Sequence, residues 1–139
     1  MWIFTKKILA GDPIPVFNHG RMQRDFTYID DIVTGVIGCL DHPPADDGAP
    51  KPGGSRSPHR LYNIGNNKPE ELMHLIAVLE DALGQKAQID FQPMQPGDVH
   101  ATFADISAIA HDIGFAPTTQ IESGVPRFVA WYRDYHQPK

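Results

Sequence analysis

From His42 to Arg60 the chain reads HPPADDGAPKPGGSRSPHR, dense in Pro, Gly and Ser with hardly an apolar side chain. Such a run has almost nothing to bury, so it predicts a flexible surface loop over 42–60, long for a compact domain. It divides the chain, yet each flank alone is too short to enclose a core. The loop therefore reads as an insertion within one domain, residues 1–139, and not as a linker between two. With 139 residues, 41% of them apolar and 21% charged, the whole chain has the composition of one globular domain.

A net charge of −5 argues against a general binder of nucleic acid or of acidic membrane, and leaves room for a local anion site. Cys39 is the single cysteine, so no internal disulfide forms, which fits a reducing cytoplasm. No apolar run reaches the roughly 18 residues that a membrane span needs. Met1-Trp2-Ile3-Phe4 has neither the basic region nor the cleavage site of a signal peptide. These features together predict a soluble, cytoplasmic protein.

Periodicity predicts a mixed α/β chain. Residues 2–10 read as a short helix closed by Gly11, and Ile14-Pro15-Val16-Phe17 as a strand that Pro15 confines to an edge. Asn18-His19-Gly20 reads as a turn and Phe26-Thr27-Tyr28 as a second strand. Ile29, Ile32, Val33, Val36, Ile37 and Leu40 then form a helical stripe, with Asp30 or Asp31 at its N-cap. After the loop come a strand at 61–64, a helix opened by Pro69-Glu70-Glu71 and closed by Gly84, and a strand at 87–91. A short helix capped by Asp105 and a last helix over about 122–135 complete the pattern.

Familiar catalytic patterns are missing. There is no Gly-x-Gly-x-x-Gly turn, no His-Glu-x-x-His, no paired cysteines and no Gly-x-Ser-x-Gly, so no catalytic, cofactor-binding or metal-binding residue is assigned. Gly65 stands between a predicted strand and a helix, but Asn66-Asn67-Lys68-Pro69 adds no further glycine, and a plain turn is the better reading. Tyr135 and Lys139 have Tyr-x-x-x-Lys spacing, which Pro138 between them and the chain end make meaningless as a catalytic pair. Cys39 reads as packing, not as a nucleophile.

Two features carry chemistry. RMQRDFTYIDDIV (21–33) sets Arg21 and Arg24 at the mouth of a strand, and Gln95-Pro96-Gly97-Asp98 forms a tight loop. The guanidinium fork suits phosphate oxygens, an aromatic ring such as Phe17 can stack on a base, and the Asp98 carboxylate can accept from ribose hydroxyls. A nucleotide-diphosphate grip is one reading. The other is a surface ion pair of Arg24 with Asp25 or Asp30, contributing only ~0–1 kcal/mol.

RDFTYIDDIV, LYNIGNNKPEELM, MQPGDVHATFADISAI and GVPRFVAWYRDYH, in this order, resemble the C-terminal half of extended short-chain dehydrogenase/reductase epimerases. MQPGDV is most similar to UDP-glucuronate 4-epimerases, and the resemblance runs from Met1 to about His136. It implies a small mixed α/β substrate-binding domain with segments, such as 61–64, that complete a Rossmann sheet. It implies that Phe17, with Pro15 on the same strand, lies against uracil, that Arg24 holds the diphosphate and that Asp98 holds the ribose. Gln95 stands where related UDP-galactose epimerases carry an arginine, which weakens a two-arginine clamp and favours the glucuronate subgroup. Asp30, Asp31, Tyr62 and Asn63 also match the family and read as scaffold.

The family's reaction uses bound NAD to take hydride from C4 of the sugar and return it to the other face. Its glycine-rich turn and Tyr-x-x-x-Lys pair belong to an N-terminal Rossmann half that the resemblance places outside these residues. The expectation is thus a piece of a longer enzyme, inactive alone, with no NAD bound. It would expose apolar surface around Trp2, Ile3 and Phe4 and could form a homo-oligomer. Alternatives are another sugar-nucleotide epimerase, dehydratase or decarboxylase, or a non-catalytic nucleotide-sugar binding module.

Overall fold

The computed structural model describes residues 1–51 and 53–136. Its elements in chain order are α1 (Trp2–Ala10), β1 (Ile14–Val16), a single 3-10 turn (Phe17–Gly20), β2 (Gln23–Asp25), α2 (Ile29–Asp41), β3 (Pro69–Glu71), α3 (Leu72–Leu83), β4 (Ile89–Phe91), α4 (Ser107–Ile113) and α5 (Ile121–His136). The mixed α/β class is as expected.

One core is built where α1, α3 and α5 close over β1. Leu75, Ile76, Leu79 and Leu83 recur at helical spacing on α3 and meet Ile121, Val125 and Val129 of α5, with Ile8, Ile14 and Val16 beneath. A fully buried aliphatic side chain of this kind contributes about 1.5–3 kcal/mol. Gly84 takes the left-handed conformation (φ 68°) that ends α3, and the Arg133 Nη2 of α5 donates to the Leu83 carbonyl at 2.7 Å. A cation thus meets the negative end of α3.

The strands make two small sheets. β1 pairs in parallel with β4, Pro15 opposite Asp90, and β2 pairs antiparallel with β3, Arg24 opposite Glu70. Because the first sheet has two strands, Pro15 sits on an edge, as its missing N–H requires. A second, smaller cluster, Ile106, Ile109 and Phe115, lies under α2 and α4 and is flanked by Tyr62, Ile64 and Cys39.

Several expectations are corrected. The second strand is Gln23–Asp25, not Phe26–Tyr28, because pairing is set by β3; Phe26 packs against the main core and Tyr28 is the N-cap of α2. Pro69–Glu71 is strand, and α3 begins at Leu72. Residues 61–64 are not a strand: Tyr62 and Ile64 turn inward with the alternation of one, but no neighbour pairs with their backbone among the described residues. Phe17 leaves the strand and opens the 3-10 turn. Asp31 does not cap α2 but reaches Thr118 and Thr119. The apolar stripe of α2 faces outward, with Ile29 61% and Leu40 74% exposed. Of the amino-terminal trio, Trp2 and Ile3 are 41% and 63% exposed, as expected, and Phe4 instead packs on the core.

The loop 42–60 contains no helix or strand among its described residues, and an ion pair of Lys51 with Asp47 lies inside it. No helix among the described residues is long and apolar enough to cross a membrane. Pro138 and Lys139, with which the rejected Tyr-x-x-x-Lys match is made, lie outside the described residues.

Candidate functional site

Strand β2 carries the arginine. It is gripped on one side by β3 and on the other by residues 100–102, through Gln23 N–H to the His100 carbonyl (2.8 Å), Thr102 N–H to the Gln23 carbonyl (3.2 Å) and Asp25 N–H to the Thr102 hydroxyl (3.1 Å). This sandwich aims the Arg24 side chain at the 95–98 loop. There Pro96 and Gly97 (φ 85°) occupy the centre of a turn closed by Asp98 N–H to the Gln95 carbonyl at 3.2 Å, the positions at which proline and glycine favour a type II turn.

Arg24 and Asp98 meet across 74 residues of sequence, Nη2 to Oδ1 at 3.2 Å. Their side chains are 25% and 32% exposed, so both charges remain within reach of a ligand. The other arm of the fork, Nη1, donates to the Gln23 carbonyl at 2.8 Å and more weakly to that of His100 at 3.4 Å. The fork is thereby set in one orientation before any ligand arrives. The two alternative partners are otherwise engaged. Asp25 accepts from the Asn66, Asn67 and Ala104 amides at 3.0, 3.2 and 3.0 Å, and Asp30 stands 4.0 Å from Arg127.

Phe17, half-buried, begins the 3-10 turn directly after Pro15 and Val16. The turn is seated on the end of β4 by Gln92 N–H to the Val16 carbonyl (2.9 Å) and His19 N–H to the Gln92 carbonyl (3.1 Å). Since the 95–98 loop follows β4, the sheet that places Pro15 and Phe17 also places Asp98. Gln95 is exposed at the start of that loop. Against the turn opens a cleft of about 470 Å³ bordered by His19, Arg21, Gln23, Met73 and His100. Arg24 borders it only through its strand neighbours.

The turn at Gly65, weighed above as a pyrophosphate cradle, is already filled. Gly65 lies against Ala104, where an added Cβ would stand 2.3 Å from the Ala104 Cβ, and the amides of Asn66 and Asn67 already donate to the Asp25 carboxylate. A pyrophosphate would meet a negative charge in place of free N–H groups. No group of His, Cys, Asp and Glu among the described residues could hold a metal ion.

Scaffold roles fall to the other matched residues. Asp31 accepts from the amides of Thr118 and Thr119 at 3.1 and 3.0 Å and from the Thr118 hydroxyl at 3.2 Å. Burial pushes its carboxyl up, but these donors outweigh burial and hold it below the usual carboxylate range. The Tyr62 hydroxyl donates to Asp112 at 2.8 Å, which pushes the phenol up, and Asn63 donates to the Asp105 carbonyl at 3.2 Å. Sequence reasoning did not single out Asn18 or His100, which border this site. Asn18 had one signal, the tolerance of asparagine for left-handed backbone, while His100 had none.

A family model described as GDP-mannose 4,6 dehydratase matches residues 3–128. An uncharacterized 37.6 kDa protein of Escherichia coli O111:H- is 48% identical over 139 residues, an alignment covering 96% of this chain and 42% of that protein. UDP-glucuronate 4-epimerase 1 of Arabidopsis thaliana is 40% identical over 137 residues, with 96% and 32% covered. Among solved structures, the UDP-glucuronic acid 4-epimerase of Bacillus cereus in complex with UDP-glucuronic acid and NAD superposes with a TM-score of 0.79 at 26% identity, over 96% of this chain and 39% of that one. The chain thus spans about two fifths or less of the length of these relatives.

Proposed function

We propose that this chain, which belongs to the GDP-mannose 4,6 dehydratase family of nucleotide-sugar epimerases and dehydratases within the extended short-chain dehydrogenases/reductases, is the UDP-sugar-binding part of an NAD-dependent 4-epimerase that interconverts UDP-glucuronate and UDP-galacturonate. One observation carries the reading. Arg24 and Asp98, distant in sequence, meet at 3.2 Å with charge still exposed, beside the turn that bears Phe17. Arg24 would leave Asp98 for the diphosphate, Asp98 would accept from the ribose, and Phe17 with Pro15 would lie against the base. Gln95 offers an uncharged amide beside them.

In this reading NAD is bound by residues outside this chain, because its one candidate turn is closed by Asp25. NAD would supply the hydride acceptor for the sugar C4, and this chain would supply the position of the nucleotide. The Rossmann half that holds NAD would cover the outward stripe of α2 and pair with the extended run 61–64. The description of the matching family model favours a second reading, a sugar-nucleotide dehydratase.

Calorimetric titration of the 139-residue chain with UDP-glucuronate, UDP, UDP-glucose and GDP-mannose separates these readings. The expected result is binding of the uridine nucleotides with preference for the glucuronate. Preference for GDP-mannose would transfer the assignment to the dehydratase reading. A folded chain that binds none of the four would remove the grip from this part of the protein.

A further inference from the structure

The turn that bears Phe17 is strained. Asn18 (φ 48°, ψ 34°) and His19 (φ 50°, ψ 32°) are consecutive non-glycine residues in the left-handed region, a conformation held only where the surroundings over-determine it. The backbone bonds that seat the turn on β4 do so together with two contacts of one side chain. The Asn18 amide donates to the Arg21 carbonyl at 2.7 Å, closing the turn on itself, and to the His100 Nδ1 at 3.2 Å, tying it to a different segment. His100 is the segment that serves the other half of the site. Its carbonyl accepts from Gln23 N–H at 2.8 Å and from Arg24 Nη1 at 3.4 Å, and it lies two residues beyond Asp98. The ring nitrogen of His100 therefore holds the Phe17 turn, while its backbone holds Arg24.

We propose that Asn18 and His100 are positioning residues, a latch that fixes the Phe17 turn relative to Arg24 and Asp98 so that base and diphosphate are gripped in one geometry. The proposal rests on the nucleotide-grip reading above and adds to it two residues with no part in direct contact with the nucleotide. Ordering the two halves before binding removes a cost that the ligand would otherwise bear. In the acceptor role the His100 ring carries its proton on Nε2. Glycine at position 18 keeps the left-handed backbone without strain while deleting the latch. Asparagine at position 100 sets a side-chain oxygen close to where Nδ1 stands.

The test is the affinity of the chain for UDP, by calorimetry, in wild type, Asn18→Gly, His100→Ala and His100→Asn, with thermal melts alongside. Asn18→Gly and His100→Ala are expected to bind UDP about tenfold more weakly, with melting temperatures close to wild type, and His100→Asn is expected to recover most of the loss. A merely structural role would shift the melts and would not be rescued in affinity. Wild-type affinity in both Asn18→Gly and His100→Ala, or a His100→Asn variant as weak as His100→Ala, overturns the latch while leaving the grip intact. A wild-type chain that binds no UDP overturns the grip reading and the latch with it.

Discussion

Arg24 shows how one side chain can be held ready for a ligand at little cost to the fold. Its ion pair with Asp98 is partly solvated and contributes only ~0–1 kcal/mol, so in the nucleotide-grip reading proposed above its main value is what it would offer a phosphate. Arg24→Ala is accordingly expected to weaken UDP-sugar binding tenfold or more, by roughly the 1.5–3 kcal/mol of charged hydrogen bonds, while chemical denaturation shows a loss of no more than about 1 kcal/mol. Undiminished affinity of that variant in a titration would take Arg24 out of the site. At this scale much was legible in the sequence: a guanidinium fork and a Pro-Gly turn followed by Asp are chemical facts before they are structural ones. Their partners were not legible. Pairing of Arg24 with Asp25 or Asp30 looked natural by proximity in sequence, yet backbone pairing of β2 puts alternate side chains on opposite faces. Asp25 is thereby turned toward the amides of Asn66, Asn67 and Ala104, and Arg24 toward Asp98.

Elements were legible where periodicity and end signals agreed. The helices ending at Gly11 and Gly84 are examples, each glycine supplying the left-handed residue that closes the last turn. They were misread where only three residues pair, because so short a strand is set by its neighbour and not by its own pattern: Phe26–Tyr28 has better strand composition than Gln23–Asp25. The stripe of α2 has the right period for a buried face, but periodicity cannot say which body covers it, and within the described residues none does. What holds α2 is its other face, where Gly35, Gly38 and Cys39 rest on Ile64, Ile113 and Phe115 and Asp31 accepts from the Thr118 and Thr119 amides. The carboxyl of Asp31 is held below its unfolded value, so its stabilisation is complete above about pH 4 and fades as pH falls through the lower, folded value. Thermal melts between pH 7 and pH 3 should therefore show wild type losing more stability than Asp31→Asn, which is already weaker by about 1–3 kcal/mol at pH 7. Parallel pH profiles for the two proteins would show that Asp31 does not act as an anchoring anion.

For the whole molecule, the 42–60 loop reads from composition as an insertion, and the described part of it is almost wholly exposed. Removing residues 45–57 is expected to move the melting temperature by less than about 3 °C, since loop-closure entropy changes slowly with length and little packing is lost. A large fall would mean that the segment is packed. The loop has its ends in ordered structure. α2 precedes it, fixed by Asp31, and Asn66 and Asn67 follow it, fixed by Asp25, which also holds Ala104 near the segment that meets Arg24. That one carboxylate decouples the length of the insertion from the spacing of the site. The loop can thereby be lengthened, shortened or decorated, and acquire new surface, without altering the spacing of Arg24 and Asp98, the pair that would hold the nucleotide in the reading proposed above.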